Sequence, residues 1–102
     1  MINFDDLEEK NGLYYEINSD LPFNGKVAGR IVGEFVNGKP EGGLIGYYEN
    51  GELQSKGHYK NGKLDGGFLY HYENGQLKEK GNMIDGKLEG KYLEYYEKGQ
   101  LK

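Results

Sequence analysis

The stretch "YYENGELQSKGHYKNGKLDG", residues 47–66, returns as "HYENGQLKEKGNMIDGKLEG" at 71–90, and "YYEKGQLK" opens a third copy at 95–102. Tyr48, Tyr72 and Tyr96 stand 24 residues apart, as do Gly51, Gly75 and Gly99, and Leu53, Leu77 and Leu101. Looser copies come earlier: Phe35, Gly38 and Gly42 precede Tyr59, Gly62 and Gly66 by the same 24 residues. A period held at many columns at once is the mark of one supersecondary unit stacked on itself.

A finer beat identifies the unit. Asn11-Gly12, Asn24-Gly25, Asn37-Gly38, Asn50-Gly51, Asn61-Gly62, Asn74-Gly75 and Asp85-Gly86 begin 11 or 13 residues apart. Asn-Gly and Asp-Gly tolerate positive φ at both central positions, which a type I′ hairpin turn demands. The segments between them carry Tyr, Phe, Leu and Ile without helix start or stop signals. Each repeat therefore reads as one β-hairpin, and the predicted fold is all-β: a single-layer antiparallel meander with a 24-residue period.

Two-residue turns at these dipeptides set the register. They place Tyr48 opposite Leu53, Leu44 opposite Gly57, Gly57 opposite Gly66, Phe68 opposite Gly81 and Met83 opposite Leu88. Paired residues share a face, so Ile31, Phe35, Leu44, Tyr48, Leu53, Tyr59, Leu64, Phe68, Tyr72, Leu77, Met83, Leu88, Tyr92 and Tyr96 form one apolar face. A slip of one residue would scatter them. Gly57, Gly66, Gly81 and Gly90 fall mid-strand on that face, where an aromatic neighbour can lie over the missing side chain; Phe68 is expected between Ser55 and Gly81. On the opposite face Lys56, His58, Lys60, Asp65, Glu73, Lys78, Lys80 and Lys91 read as solvated. Through them runs a repeating apolar strip, Ile45, Tyr47, Leu69, His71, Leu93 and Tyr95. It is a candidate binding surface, set against the plainer reading that Tyr and Leu merely suit strands.

Composition bounds the rest. Hydrophobic residues make up 35%, with 18 Gly and 10 Tyr, too aromatic for a disordered tail and too glycine-rich for a helical bundle. A single domain of this size should bury roughly two thirds of its unfolded surface. With no Cys there is no disulfide framework, thiolate metal site or cysteine nucleophile. The N-terminus lacks the basic and apolar regions of a signal peptide and no apolar run approaches a membrane span, which reads as cytoplasmic. The net charge of −4 is concentrated early, in Asp5, Asp6, Glu8, Glu9, Glu16 and Asp20 against Lys10. The remainder is near neutral, so no direct nucleic-acid binding is expected. Many Lys, with Arg30 the lone arginine, suggest an AT-rich bacterial genome.

The phrase "YYENGELQSKGHYKNGKLDGGFLYHYENGQLKEKG" resembles the MORN repeat (membrane occupation and recognition nexus) in its bacterial variant. "NGLYYEINSDLPFNGK" followed by such repeats resembles the YwqK-type antitoxins. The resemblance implies a non-enzymatic, extended single-layer sheet of hairpins that serves as a binding scaffold, often for a toxin. Leu13, Tyr15, Ile17, Leu21 and Phe23 depart from the repeat parity, and Pro22 with Asn18-Ser19-Asp20 suggests a loop or bulge there.

Catalysis is hard to build from this inventory. His58 and His71 lie in different strands, and Ser55 falls on the packed face away from both, so no Ser-His pair forms. Metalloprotease, calcium-loop and phosphate-loop motifs are missing. No catalytic residue, metal or cofactor is expected. Residues 1–12 read as an acidic cap, with "NFDDLEEKNG" a short helix N-capped by Asn3 and covering the first strand through Phe4 and Leu7; residues 13–102 read as the repeat domain. Alternatively Asp5, Asp6, Glu8 and Glu9 are a patch for a basic partner, or the stretch is simply mobile.

These readings point to a protein partner, in the first place a toxin neutralised in the manner of an antitoxin or immunity protein. The alternatives are a phage or mobile-element inhibitor of a host defence nuclease such as a CRISPR effector, or a plain scaffold. No membrane surface is expected as partner, for want of a basic amphipathic face. The strand from Lys87 to Glu97, facing only Gln100 to Lys102, presents an open edge through Tyr92 and Tyr96 that would suit a homodimer.

Overall fold

Four of the seven dipeptides make the expected turn. In the computed structural model, which describes residues 1–102, φ is positive at both members of Asn11-Gly12, Asn37-Gly38, Asn61-Gly62 and Asp85-Gly86. These turns join β2 (Leu7–Lys10) to β3 (Leu13–Glu16), β5 (Ile31–Val36) to β6 (Lys39–Tyr47), β7 (Leu53–Lys60) to β8 (Lys63–His71), and β9 (Leu77–Ile84) to β10 (Lys87–Leu88). With β1 (Ile2–Asn3), β4 (Gly25–Ala28) and β11 (Leu93–Glu94), the chain is nearly all β. A nine-stranded sheet runs β1-β4-β5-β6-β7-β8-β9-β10, with β11 also on β9, and β2-β3 form a separate small sheet. From β4 onward it is the expected antiparallel meander. The exception is β1, which pairs parallel to β4 and covers its outer edge.

The turns at the other end of the strands are a correction. At Asn50-Gly51 and Asn74-Gly75 only the glycine has positive φ. The Gly51 N–H donates to Tyr48 O and the Tyr48 N–H to Glu52 O, closing a three-residue loop with its glycine in the left-handed region. The asparagine explains the preference. Asn50 Oδ1 accepts the Glu52 N–H while its Nδ2 donates to Glu73 O; Asn74 repeats both bonds with Gln76 and Glu97. One amide thus caps its own turn and ties it to the next repeat. Tyr47 now faces Leu53, and a bulge before Ser55 restores Leu44 opposite Gly57. Asn24-Gly25 is not a hairpin turn; Asn24 Oδ1 accepts the Asn37 N–H.

A second correction concerns register. Tyr59 pairs with Leu64 as expected, but Gly57 then pairs with Phe68 instead of Gly66. The strand bulges by two residues around Gly66, whose φ of +111° is open to glycine and strained for other residues. Gly42 and Gly90, 24 residues to either side, also have positive φ. An even shift leaves every side chain on its own face; the face assignment fails only at the one-residue bulges of the loop ends, which set Tyr47 opposite Leu53 and His71 opposite Leu77. Phe68 consequently packs between Gly57 and Gly81, not between Ser55 and Gly81.

The expected N-terminal helix reduces to a three-residue 3-10 turn, Phe4–Asp6, with Asn3 Oδ1 accepting the Asp5 N–H as its cap. Leu7–Lys10 is extended because Asn11-Gly12 turns it back onto Leu13–Glu16, and so short an isolated helix has little stability of its own. Phe4 joins Phe23, Val27 and Phe35 in the only four-residue buried cluster, with Leu7, Tyr14 and Leu44 packed against it. The segment with deviant parity supplies this second layer, as Tyr14 N–H bonds Gly38 O and Phe23 N–H bonds Tyr14 O.

Beyond this cap Phe68 is the only other buried hydrophobic residue. The accessible surface is 6932 Å², against about 5,800 Å² for a compact monomer of 11.6 kDa. Folding therefore buries about 59% of the extended-chain surface, not two thirds. The reason is geometric: a single-layer sheet leaves both faces in water.

Candidate binding faces

Cross-strand pairing turns the apolar strip into something more specific. Val32 pairs with Ile45, Ile45 with Lys56, Lys56 with Leu69, Leu69 with Lys80, and Lys80 with Leu93. Partners point to one side of a sheet, so from Ile45 onward a single row across the strands alternates apolar residue and lysine. Ile45, Leu69 and Leu93 belong to it. Tyr47, His71 and Tyr95 lie beside the loop end, opposite Leu53, Leu77 and Leu101 respectively. Their backbones carry the stacking: Tyr48 Oη donates to His71 O at 2.6 Å and Tyr72 Oη to Tyr95 O at 2.7 Å. The His71 ring is itself engaged, its Nδ1 3.1 Å from Gly75 O.

The same face is basic, which the near-neutral charge balance of residues 25–102 had hidden. In β7, β8 and β9 it carries Lys56, Lys60, Lys63 and Lys80 with His58, against Asp65. None of these lysines forms an ion pair; the salt bridges of the molecule are Lys10–Glu8, Arg30–Asp5 and Lys102–Glu94. His58 Nδ1 lies 3.1 Å from Asp65 O, across the bulge. Beside the row, Gly43 pairs with His58 and Gly67 with Asn82. Both glycines have open space where a Cβ would stand. They floor a shallow depression of about 340 Å³ bounded by Lys56, His58, Leu69 and Lys80.

The other candidates are dispersed or engaged. Asp5 pairs with Arg30 (Nε–Oδ1 2.6 Å), whose guanidinium also lies over the Phe4 ring, and Glu8 pairs with Lys10. Glu8 and Glu9 are neighbours in β2 and point to opposite sides, so with exposed Asp5 and Asp6 they do not make one patch. Tyr92 is half-buried and its hydroxyl donates to the Glu79 carboxylate. That hydrogen bond, with burial and the carboxylate charge, pushes the Tyr92 phenol up to about 12. Tyr96 is 54% exposed in the last loop, where its N–H bonds Gln100 O. Glu79 also sits opposite Tyr70.

The MORN repeat variant model matches residues 40–61, 64–85 and 88–102. The chain belongs to the MORN repeat variant family. Each matched MORN segment begins two residues after the glycine of a type I′ turn and takes in the bulge glycine Gly42, Gly66 or Gly90, so the family pattern follows the hairpin unit. MORN repeats are generally protein- and membrane-binding modules. No curated protein and no solved structure matches the chain. No helix is long and apolar enough to cross a membrane.

Proposed function

We propose that this MORN repeat protein is a protein-binding module that neutralises its partner, in the manner of a bacterial antitoxin or immunity protein. The observation that carries this reading is the half-buried row of Ile45, Leu69 and Leu93 on a sheet that exposes about 1,100 Å² more surface than a compact chain of its mass. A sheet face with apolar residues at regular intervals is suited to a protein surface. The N-terminal core anchors one end of the array, and the repeats project from it within overall extents of 46 × 33 × 20 Å.

The test is a pull-down from the native host, followed by replacement of Tyr47, Leu69 and Tyr95 with serine. A stoichiometric partner lost on substitution, with the melting temperature nearly unchanged, supports the reading. A toxin as that partner supports the antitoxin role, and a defence nuclease moves the inhibitor to the other target class. Recovery of no stoichiometric partner overturns it.

A further inference from the structure

We infer that the lysine–leucine row takes an acidic amphipathic α-helix of the partner, laid across the strands; this deepens the protein-binding reading above and rests on it. The spacing singles out a helix. Neighbouring strands lie about 4.8 Å apart, and Ile45, Leu69 and Leu93 are two strands apart in turn, as are Lys56 and Lys80. Like therefore follows like at about 9.6 Å. An α-helix presents the same face every seven residues, or about 10.5 Å, a mismatch that flexible lysine side chains absorb. An extended strand presents the same face every two residues, at about 6.7 Å and 13.4 Å, and meets neither lysine nor leucine in step. From Ile45 to Leu93 the row spans about 19 Å, or about 13 helical residues, two heptads.

Charge selects the helix's chemistry. Lys56 and Lys80 in the row form no ion pair, so an acidic segment supplies what the fold omits. Leucines interleaved with the lysines ask for apolar side chains at the same heptad interval, which a helix with Glu and Leu once per turn-pair provides. The lysines stand within the apolar row and not at its rim, so a lipid surface could not take up the leucines without drawing in the ammonium groups. The glycine floor at Gly43 and Gly67 gives the helix room to approach the backbone closely.

The experiment uses the full chain and a synthetic, end-capped 14-residue peptide carrying Glu and Leu each at heptad spacing. A scrambled peptide of equal composition, anionic lipid vesicles and oligouridylate serve as comparisons. The patterned peptide should bind at least tenfold tighter than the scrambled one. K56E/K80E should lose at least tenfold and regain it with a peptide in which Lys replaces Glu, which a merely misfolded variant could not do. Equal binding of the two peptides, or binding to vesicles or oligouridylate alone, overturns the inference. A native partner whose affinity is untouched by K56E/K80E also overturns it, while leaving the protein-binding reading in place; recovery of no partner at all fails that broader reading instead.

Discussion

Replacing Gly81 with alanine tests the packing of the repeat directly. Gly81 has no positive φ, so alanine would ordinarily gain about 0.4–1 kcal/mol by restricting the unfolded chain. A Cβ built there, however, lies 2.9 Å from Phe68 Cζ, 3.0 Å from Tyr92 Cδ1 and 3.1 Å from Phe68 Cε1. Phe68 is buried and its ring is held between Gly57 and Gly81, so it has little room to give. Overpacking of this kind costs about 1–3 kcal/mol. The net for G81A is a loss of about 1–2 kcal/mol, or about 5–15 °C in melting temperature for a domain of this size. Gly67 is the internal control. It sits on the opposite face with ordinary φ and nothing within 4 Å of a built Cβ, so G67A should keep the entropic gain and melt slightly higher than the parent. G33A should be the worst of the series, because its Cβ would meet the Gly43 carbonyl oxygen at 2.9 Å as well as Leu44 Cδ1 at 2.5 Å. G57A should be milder, as Leu64 Cδ2, the free end of a flexible side chain, is its only contact under 3.0 Å. Circular dichroism melts and urea midpoints would read all four. A G81A protein as stable as the parent, or a G67A protein that melts below G81A, refutes the packing argument.

Y72F removes the hydroxyl that bonds Tyr95 O and should cost about 0.5–1.5 kcal/mol in urea unfolding, whereas Y96F, whose ring is 54% exposed, should stay within about 0.5 kcal/mol of the parent. F35A empties the N-terminal core at a residue only 2% exposed and should cost about 3–5 kcal/mol by the same measurement. Tyr92 should titrate near 12 by tyrosinate absorbance, and E79Q should bring it back toward the ordinary phenol value of about 10. Because its folded-state value is raised, the stability it contributes is complete below about pH 10 and is lost as the pH rises through about 12; E79Q should weaken that alkaline loss.

The residues alone determined the hairpin unit, its 24-residue period and the allocation of side chains to two faces. Strand side chains alternate with period two, and the Asn-Gly spacing fixes where the chain reverses, so Leu44, Phe68 and Tyr92 could only share a side. The bulges at Gly42, Gly66 and Gly90 were not legible, because a shift of two residues leaves the hydrophobic pattern unchanged. Tertiary pairing decided them, and with them the candidate site. Under unbroken two-residue turns Lys56 would face Gly67 and Leu69 would face Gln54; the bulge brings Lys56 beside Leu69 instead. The N-terminal segment, where the sequence allows a short helix, is extended from Leu7 to Lys10 for a related reason. Its capping signal at Asn3 is real, but backbone pairing of Leu7–Lys10 with Leu13–Glu16 outweighs a local preference that a ten-residue segment cannot sustain by itself. Which charges become neighbours is likewise a property of register. The sequence carries the lysines at their intervals, and only the paired strands assemble Lys56 and Lys80 into one unneutralised row.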